Sequence, residues 1–272
     1  MRRQSRVVRR SGVRVELRPR DEALLCALAR FRLARTSDLV ALVFRGVRRD
    51  TATERLRRLF DAGFLALRVE DRSEENVYSL GLIGWRWAEG QGLSPGRPPK
   101  GGWEHHLAVV RTWIEVARAL HGTTGWRLSC FRPEWEVREF CARRGEPLVP
   151  DAIAEISASE TNGQPVSVRI AIEVDLGTEP SRILRSKLRR YRDQLLGGQG
   201  LLGSDFCLAV VVGKVGVGRL STIRELLEDS WPGLWRTWTL DEGPRDALGQ
   251  LIESGARLPL GTPLAARGGE VG

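Results

Sequence analysis

Residues Val166 to Tyr191 limit the possible folds more than any other stretch. Val166, Val168, Ile170, Ile172 and Val174 alternate with Ser167, Arg169, Ala171, Glu173 and Asp175. That is the period of a two-faced β-strand, so Glu173 and Asp175 share one face at its end. A turn follows at Leu176-Gly177-Thr178, then a basic helix over about Glu179 to Leu196. Ile183, Leu184, Leu188, Tyr191 and Leu195 recur at helical spacing as its apolar stripe. Lys187 is four residues from both Ile183 and Tyr191, on or beside that stripe. A lysine there either snorkels to solvent or is held over the carboxylates.

Leu148 to Ile156 reads as a strand carrying Asp151 and Glu155 on one face. Thr161-Asn162-Gly163-Gln164 follows as a turn, and Asn-Gly is a strong hairpin signal. The Asp151 and Glu173 strands are therefore expected as antiparallel neighbours. Two carboxylates on adjacent strands, with Asp175 two residues on, can hold a divalent cation; hard carboxylate oxygens suit Mg²⁺ or Mn²⁺. Around them, Trp103 to about Leu120 reads as a helix, Trp126–Phe131 and Glu134–Phe140 as strands. Phe206–Val212 reads as a buried strand, Leu220–Leu227 as a helix and Leu234–Leu240 as a last strand. His105 and His106 cannot face the same way on a helix, so capping or packing is expected of them before a metal pair. The glycine-rich turn at Gly213–Gly218 lacks the Gly-Lys-Ser/Thr of a P-loop.

Charge is uneven. Residues 1–68 hold 18 arginines and 7 acids, a net of +11, while the other 204 residues carry −2. A single-sign field confined to one region suggests a polyanionic partner. Met1–Arg18 is expected as a disordered basic arm able to lie along phosphates, or a solubilising tail. After it, Pro19-Arg20-Asp21-Glu22 opens a helix. Thr36-Ser37-Asp38 opens a second, and Thr51-Ala52-Thr53-Glu54 fits a capping box for a third that ends at Gly63. Two strands, Phe64–Val69 and Asn76–Leu80, flank a polar loop, and Leu82–Glu89 closes the module.

Three helices followed by a hairpin is the order of a winged helix-turn-helix. Its third helix would put Arg48, Arg49, Thr51, Thr53, Arg55 and Arg57 near a major groove of double-stranded DNA, with Arg68 and Arg72 as wing contacts. A winged helix used for protein contacts is the alternative. Gln91–Gly102, rich in glycine and proline, reads as a linker. The expected organisation is an arm (1–18), a winged-helix domain (19–90), that linker (91–102), an α/β domain (103–242) and a carboxy-terminal helix or tail (243–272). No apolar run reaches the ~18 residues of a membrane span, and no leader peptide is evident, so a cytoplasmic, nucleoid- or plasmid-associated protein is expected. The four cysteines form no CxxC pair, which argues against a disulfide framework or a zinc site.

Pro150-Asp151, then Glu173-Val174-Asp175 at the end of the next strand, then a basic helix, resembles the PD-(D/E)XK nuclease fold. More narrowly, Glu173 to Glu179 with Lys187-x-x-x-Tyr191, behind a winged helix, resembles the replication-relaxation family of plasmids and other mobile elements. The resemblance implies an α+β or α/β chain: a winged helix followed by a nuclease-like mixed sheet. In an active enzyme Asp151, Glu173 and Asp175 would hold Mg²⁺ or Mn²⁺ for attack of water on phosphorus. The nuclease motif's lysine stands two residues after the glutamate, where this chain has Asp175. Lys187 would replace it from the helix and steady the developing charge. The resemblance equally admits a domain without catalysis, serving dimerisation or partner contact. There Asp175 caps the turn, and Lys187 pairs with Glu173 or Asp175.

Overall fold

The computed structural model describes residues 6–8, 15–69, 75–121, 125–144, 148–161, 164–197, 202, 206–213, 217–230 and 234–255. The chain divides into two compact units, Met1–Val110 and Arg111–Gly272. Among the described residues it is a mixed α/β protein with nine helices.

The first unit runs β1 (Arg6–Val8), α1 (Pro19–Phe31), β2 (Ala34–Arg35), α2 (Thr36–Val43), α3 (Arg49–Asp61), β3 (Leu65–Val69), β4 (Val77–Leu80) and α4 (Leu82–Gly90). Its four strands are ordered β1-β3-β4-β2, all antiparallel. Leu24, Leu25 and Leu28 of α1, Leu39 of α2 and Ala52, Leu56 and Leu59 of α3 close on Leu65 and Tyr78 of the sheet. These are the apolar faces that helical spacing assigns. Helix α3 starts at Arg49, two residues before the capping box read from sequence.

Arg6–Val8 is not wholly free of the fold: it pairs with Val69, Arg68 and Leu67 as an edge strand. An Arg-Val-Val run has enough β-propensity to add to an open edge. Arg72 and the loop around it lie outside the described residues. The start of α4 lies so close to the turn between α3 and β3 that a Cβ at Gly84 would stand 2.1 Å from the Phe64 carbonyl oxygen. Only glycine fits that approach.

The proline-rich stretch expected as a linker lies on this unit. Gly96 N–H donates to the Ala29 carbonyl at 3.4 Å, and Trp103 and Leu107 bury with Leu33 and Val77. The division therefore falls inside α5 (Trp103–Leu120) rather than at residues 91–102, because the indole of Trp103 and the side chain of Leu107 complete a small apolar cluster of the first unit.

The second unit continues with β5 (Trp126–Pro133), α6 (Glu134–Arg144), β6 (Ala152–Thr161), β7 (Gln164–Asp175), α7 (Ser181–Gly197), β8 (Cys207–Val212), α8 (Val217–Ser230), β9 (Trp235–Thr239) and α9 (Arg245–Gly255). Five strands form one mixed sheet in chain order. The β5-β6 and β6-β7 pairs are antiparallel; β7-β8 and β8-β9 are parallel. Every residue of β8 is buried, as a parallel strand covered on both faces requires. On one face Ile153, Ala171, Leu208, Val210 and Val212 meet Leu184, Leu188 and Tyr191 of α7 and Ile223 and Leu227 of α8. Helix α9 packs on β9 and β7.

Glu134–Phe140 is the start of a helix, not a strand. Val137 and Cys141 bury one turn apart, and Glu134–Arg138 and Glu139–Arg143 pair at i,i+4; the Asp151 carbonyl accepts the Glu134 N–H at 2.7 Å. Ile183 is 44% exposed, so the buried stripe of α7 starts at Leu184.

Candidate functional site

The sheet register assembles the acids. Ala152 lies opposite Ile172, so Asp151 and Glu173, one step further along, share a face at the same end of neighbouring strands. Strand β6 stops there, and the Asp151 side chain takes over its ladder: Oδ2 accepts the Val174 N–H at 2.7 Å. Both carboxyls are buried, at 7% and 3% exposure.

Helix α7 delivers two groups onto them. Tyr191 O–H donates to Glu173 Oε1, and the Lys187 ammonium contacts Glu173 Oε2 and stands 3.8 Å from Asp151 Oδ1. Lys187 and Tyr191 are one turn apart, which is what lets both reach one carboxylate. Lys187 is thus held over the acids, one of the two outcomes open from sequence.

The electrostatics follow from enclosure. Burial, and then the neighbouring Asp151 carboxylate, push the Glu173 carboxyl well above the usual carboxylate range, against the pull of Lys187 and Tyr191. Burial works against the Lys187 charge, but Glu173 and Asp151 outweigh it and hold the ammonium above its ordinary value. Burial, with Glu173 next to it, keeps the Tyr191 phenol protonated. The lysine therefore stays charged, and the Glu173 carboxyl takes up a proton more readily than an exposed carboxylate does.

Asp175 belongs to a different cluster. Arg219, in the first turn of α8, grips it with Nε to Oδ2 at 2.6 Å and Nη2 to Oδ1 at 3.1 Å. The Gly177 N–H adds a bond to Oδ1 at 2.9 Å, at a turn where Gly177 has φ +72°. The same guanidinium holds Ser181 Oγ at 3.1 Å and the Glu179 carbonyl at 2.9 Å. The three-carboxylate set expected for a metal is thus not brought together. Asp151 Oδ1 and Glu173 Oε2 face one cation position, which the Lys187 ammonium takes. The hard oxygen pair suits Mg²⁺ or Mn²⁺ chemically, but only with Lys187 moved aside.

In the first unit the expected DNA contacts separate. Arg48 and Arg49 are exposed, with side chains 88% and 75% accessible, and Thr51, Thr53 and Arg57 are exposed on α3. Arg57 pairs with Glu54 at 3.0 Å. Arg55 is not available. It is bound to buried Asp21, with Nε to Oδ1 at 3.0 Å, and to the Glu16 carbonyl at 2.8 Å. Asp21 also caps α1 through the Arg18 N–H at 2.8 Å. Arg68 lies over the Trp103 ring at 5.6 Å, and burial lowers its pKa; it is a packing residue. His106 is buried, its Nε2 2.6 Å from the Phe31 carbonyl, in the packing role expected.

Sequence reasoning assigned no chemical role to Tyr191 and missed Arg219. A tyrosine inside a leucine stripe signals a hydroxyl that needs a partner. For Arg219 the only clue is that buried Asp175 needs a counter-charge.

Fold and site together define a two-unit α/β protein whose second unit folds around a lysine-bridged acid pair. The chain belongs to the replication-relaxation family: that family's model matches residues 25–200, a span that contains both acids, Lys187 and Tyr191 and ends just past α7. No curated protein and no solved structure shows a significant match. Among the described residues no helix is long and apolar enough to cross a membrane.

Arg55→Ala leaves Asp21 buried without its counter-ion and lowers stability by about 3 kcal/mol in urea unfolding; a loss below 0.5 kcal/mol would return Arg55 to the surface set. Glu173 binds a proton more readily folded than unfolded. Stability therefore falls as pH rises from the ordinary 4.5 towards its folded value. Glu173→Gln flattens that part of the urea-unfolding profile, and an unchanged slope would refute the assignment.

Proposed function

We propose that this is a DNA-binding protein of a plasmid or other mobile element, acting in its replication, relaxation or transcriptional control. Family membership supports a role in replication or mobilisation of such elements. The observation that carries DNA binding is the outward face of α3, where Arg48, Arg49, Thr51, Thr53 and Arg57 stand exposed in the most basic quarter of the chain. Helices α1, α2 and α3 followed by the β3-β4 hairpin are read as a winged helix-turn-helix, with α3 entering the major groove. Arg48 and Arg49 then meet phosphate or base edges, and Thr51 and Thr53 lie along the groove.

The second unit is read as a PD-(D/E)XK-like domain. Three antiparallel strands, β5, β6 and β7, followed by parallel β8 and β9, with acids on adjoining strands and a helix behind them, support that reading. Its acids are answered by resident cations: Lys187 for Asp151 and Glu173, Arg219 for Asp175. The domain is proposed as a scaffold without catalysis.

A second reading has its own support. Asp151 Oδ1 and Glu173 Oε2 converge from neighbouring strands, as a divalent-cation site needs. In an Mg²⁺- or Mn²⁺-dependent endonuclease or nickase these two residues would hold the ion, which supplies an activated water. Lys187 would then carry its charge towards a phosphate.

Fluorescence anisotropy with a duplex tests the first reading. Arg48→Gln/Arg49→Gln/Arg57→Gln is expected to weaken binding about tenfold or more at 0.1 M salt and to flatten its salt dependence; undiminished affinity would move the interface elsewhere. Incubating supercoiled plasmid with Mg²⁺ or Mn²⁺ tests the second. No nicking is expected from the parent protein. Nicking that Glu173→Ala abolishes would establish the enzyme.

A further inference from the structure

Helix α7 carries a surface that the division of charge along the sequence conceals. The second unit as a whole is close to neutral, yet α7 holds Arg182, Arg185, Arg189, Arg190, Arg192 and Lys187 against a single acid, Asp193. Lys187 is spent inside on Glu173 and Asp151. The five arginines are not. Arg182, Arg185, Arg189 and Arg190 are exposed, and none has a carboxylate within ion-pair distance among the described residues; Arg192 meets Asp193 at 3.3 Å.

Other surface helices of this unit behave differently. Arg138 and Arg143 of α6 answer Glu134 and Glu139, and Arg118, near the end of α5, answers Glu115. Arg182, Arg185, Arg189 and Arg192 follow the 3-4-3 spacing that aligns residues along one side of a helix. Like charges at that spacing cost a few tenths of a kcal/mol per pair. The stripe is therefore unfavourable to the isolated fold and is relieved by an external anion. Leu184, Leu188 and Tyr191 are locked in the core, so the main apolar side of the helix is not open to insert into a bilayer.

We infer that this side of α7 is a second DNA-binding surface, which takes the phosphate backbone of a duplex. Successive arginines three or four residues apart rise about 4.5–6 Å along the axis, and their side chains bring guanidinium groups within reach of consecutive phosphates. The forks suit phosphate oxygens. By the helical period the stripe lies half a turn from Lys187. It therefore grips the duplex without bringing a phosphate to Glu173, and supplies position rather than chemistry. No base edge is read, so affinity is expected to be independent of sequence.

This rests on the proposed DNA-binding function, and one experiment separates the two. Full-length Arg182→Gln/Arg185→Gln/Arg189→Gln is titrated with a 30-base-pair duplex at several salt concentrations, beside the parent and the α3 triple variant, with circular dichroism and melting as folding controls. Each phosphate contact contributes about 0.9 to the slope of log K against log salt. The α7 variant is therefore expected to lose about 2 to 3 from that slope and at least tenfold in affinity at 0.1 M salt. Lysine at the same three positions is expected to restore most of the slope. An unchanged slope in the α7 variant, with a reduced one in the α3 variant, would overturn this inference and leave the α3 reading standing. The reverse pattern would leave α7 as the DNA surface and remove α3. No duplex binding by the parent protein would overturn both. Retention on phosphatidylserine vesicles but not duplex, through the same arginines, would also overturn it.

Discussion

A carboxylate inside a hydrophobic sheet face dictates much of what surrounds it. Glu173 is almost fully enclosed, and an unanswered charge there would cost several kcal/mol. The answer comes from α7, and it fixes how that helix is turned. Lys187 and Tyr191 must both point at the strand, so Leu184 and Leu188 go into the core with them and the arginines are driven to the outside. The exposed cationic side of α7 is thus the geometric counterpart of an interaction on its inner side. Neither is adjustable without the other.

The parts of this arrangement that follow strict periods were legible in the sequence. The alternation up to Asp175 gave the strand and its acidic face, and the Asn-Gly turn gave the antiparallel partner. Together they bring Asp151 and Glu173 to one end of neighbouring strands, and the Lys187 position was evident on the helix. What was not legible depends on contacts across long chain separations. Asp175 was grouped with the other acids because it shares their face. Its partner Arg219 arrives 44 residues later, after a parallel crossover that no local pattern encodes. Glu134–Phe140 looked like a strand because Trp135 and Val137 alternate over too short a run to separate a period of two from 3.6.

Arginine counts mislead in both halves of the chain, for a related reason. The net +11 of residues 1–68 includes Arg55, which neutralises buried Asp21, and Arg68, which stacks on Trp103. Those two guanidinium groups are structural: the pair with Asp21 cancels within that sum, and fewer arginines face a partner than the count of 18 suggests. The −2 of the remainder averages the acids of other elements with a helix that is strongly cationic on one side. Net charge along a sequence describes domains; the side chains that meet a partner are sorted afterwards, by which ones the core has already claimed.

Arg219 gathers the end of β7, the turn after it, the first residue of α7 and the start of α8 onto one guanidinium. In mechanical terms these four chain segments share a rivet. The connection between β7 and α7 is held at both of its ends by this one side chain, so a displacement of α7 bears on the strand that carries Glu173.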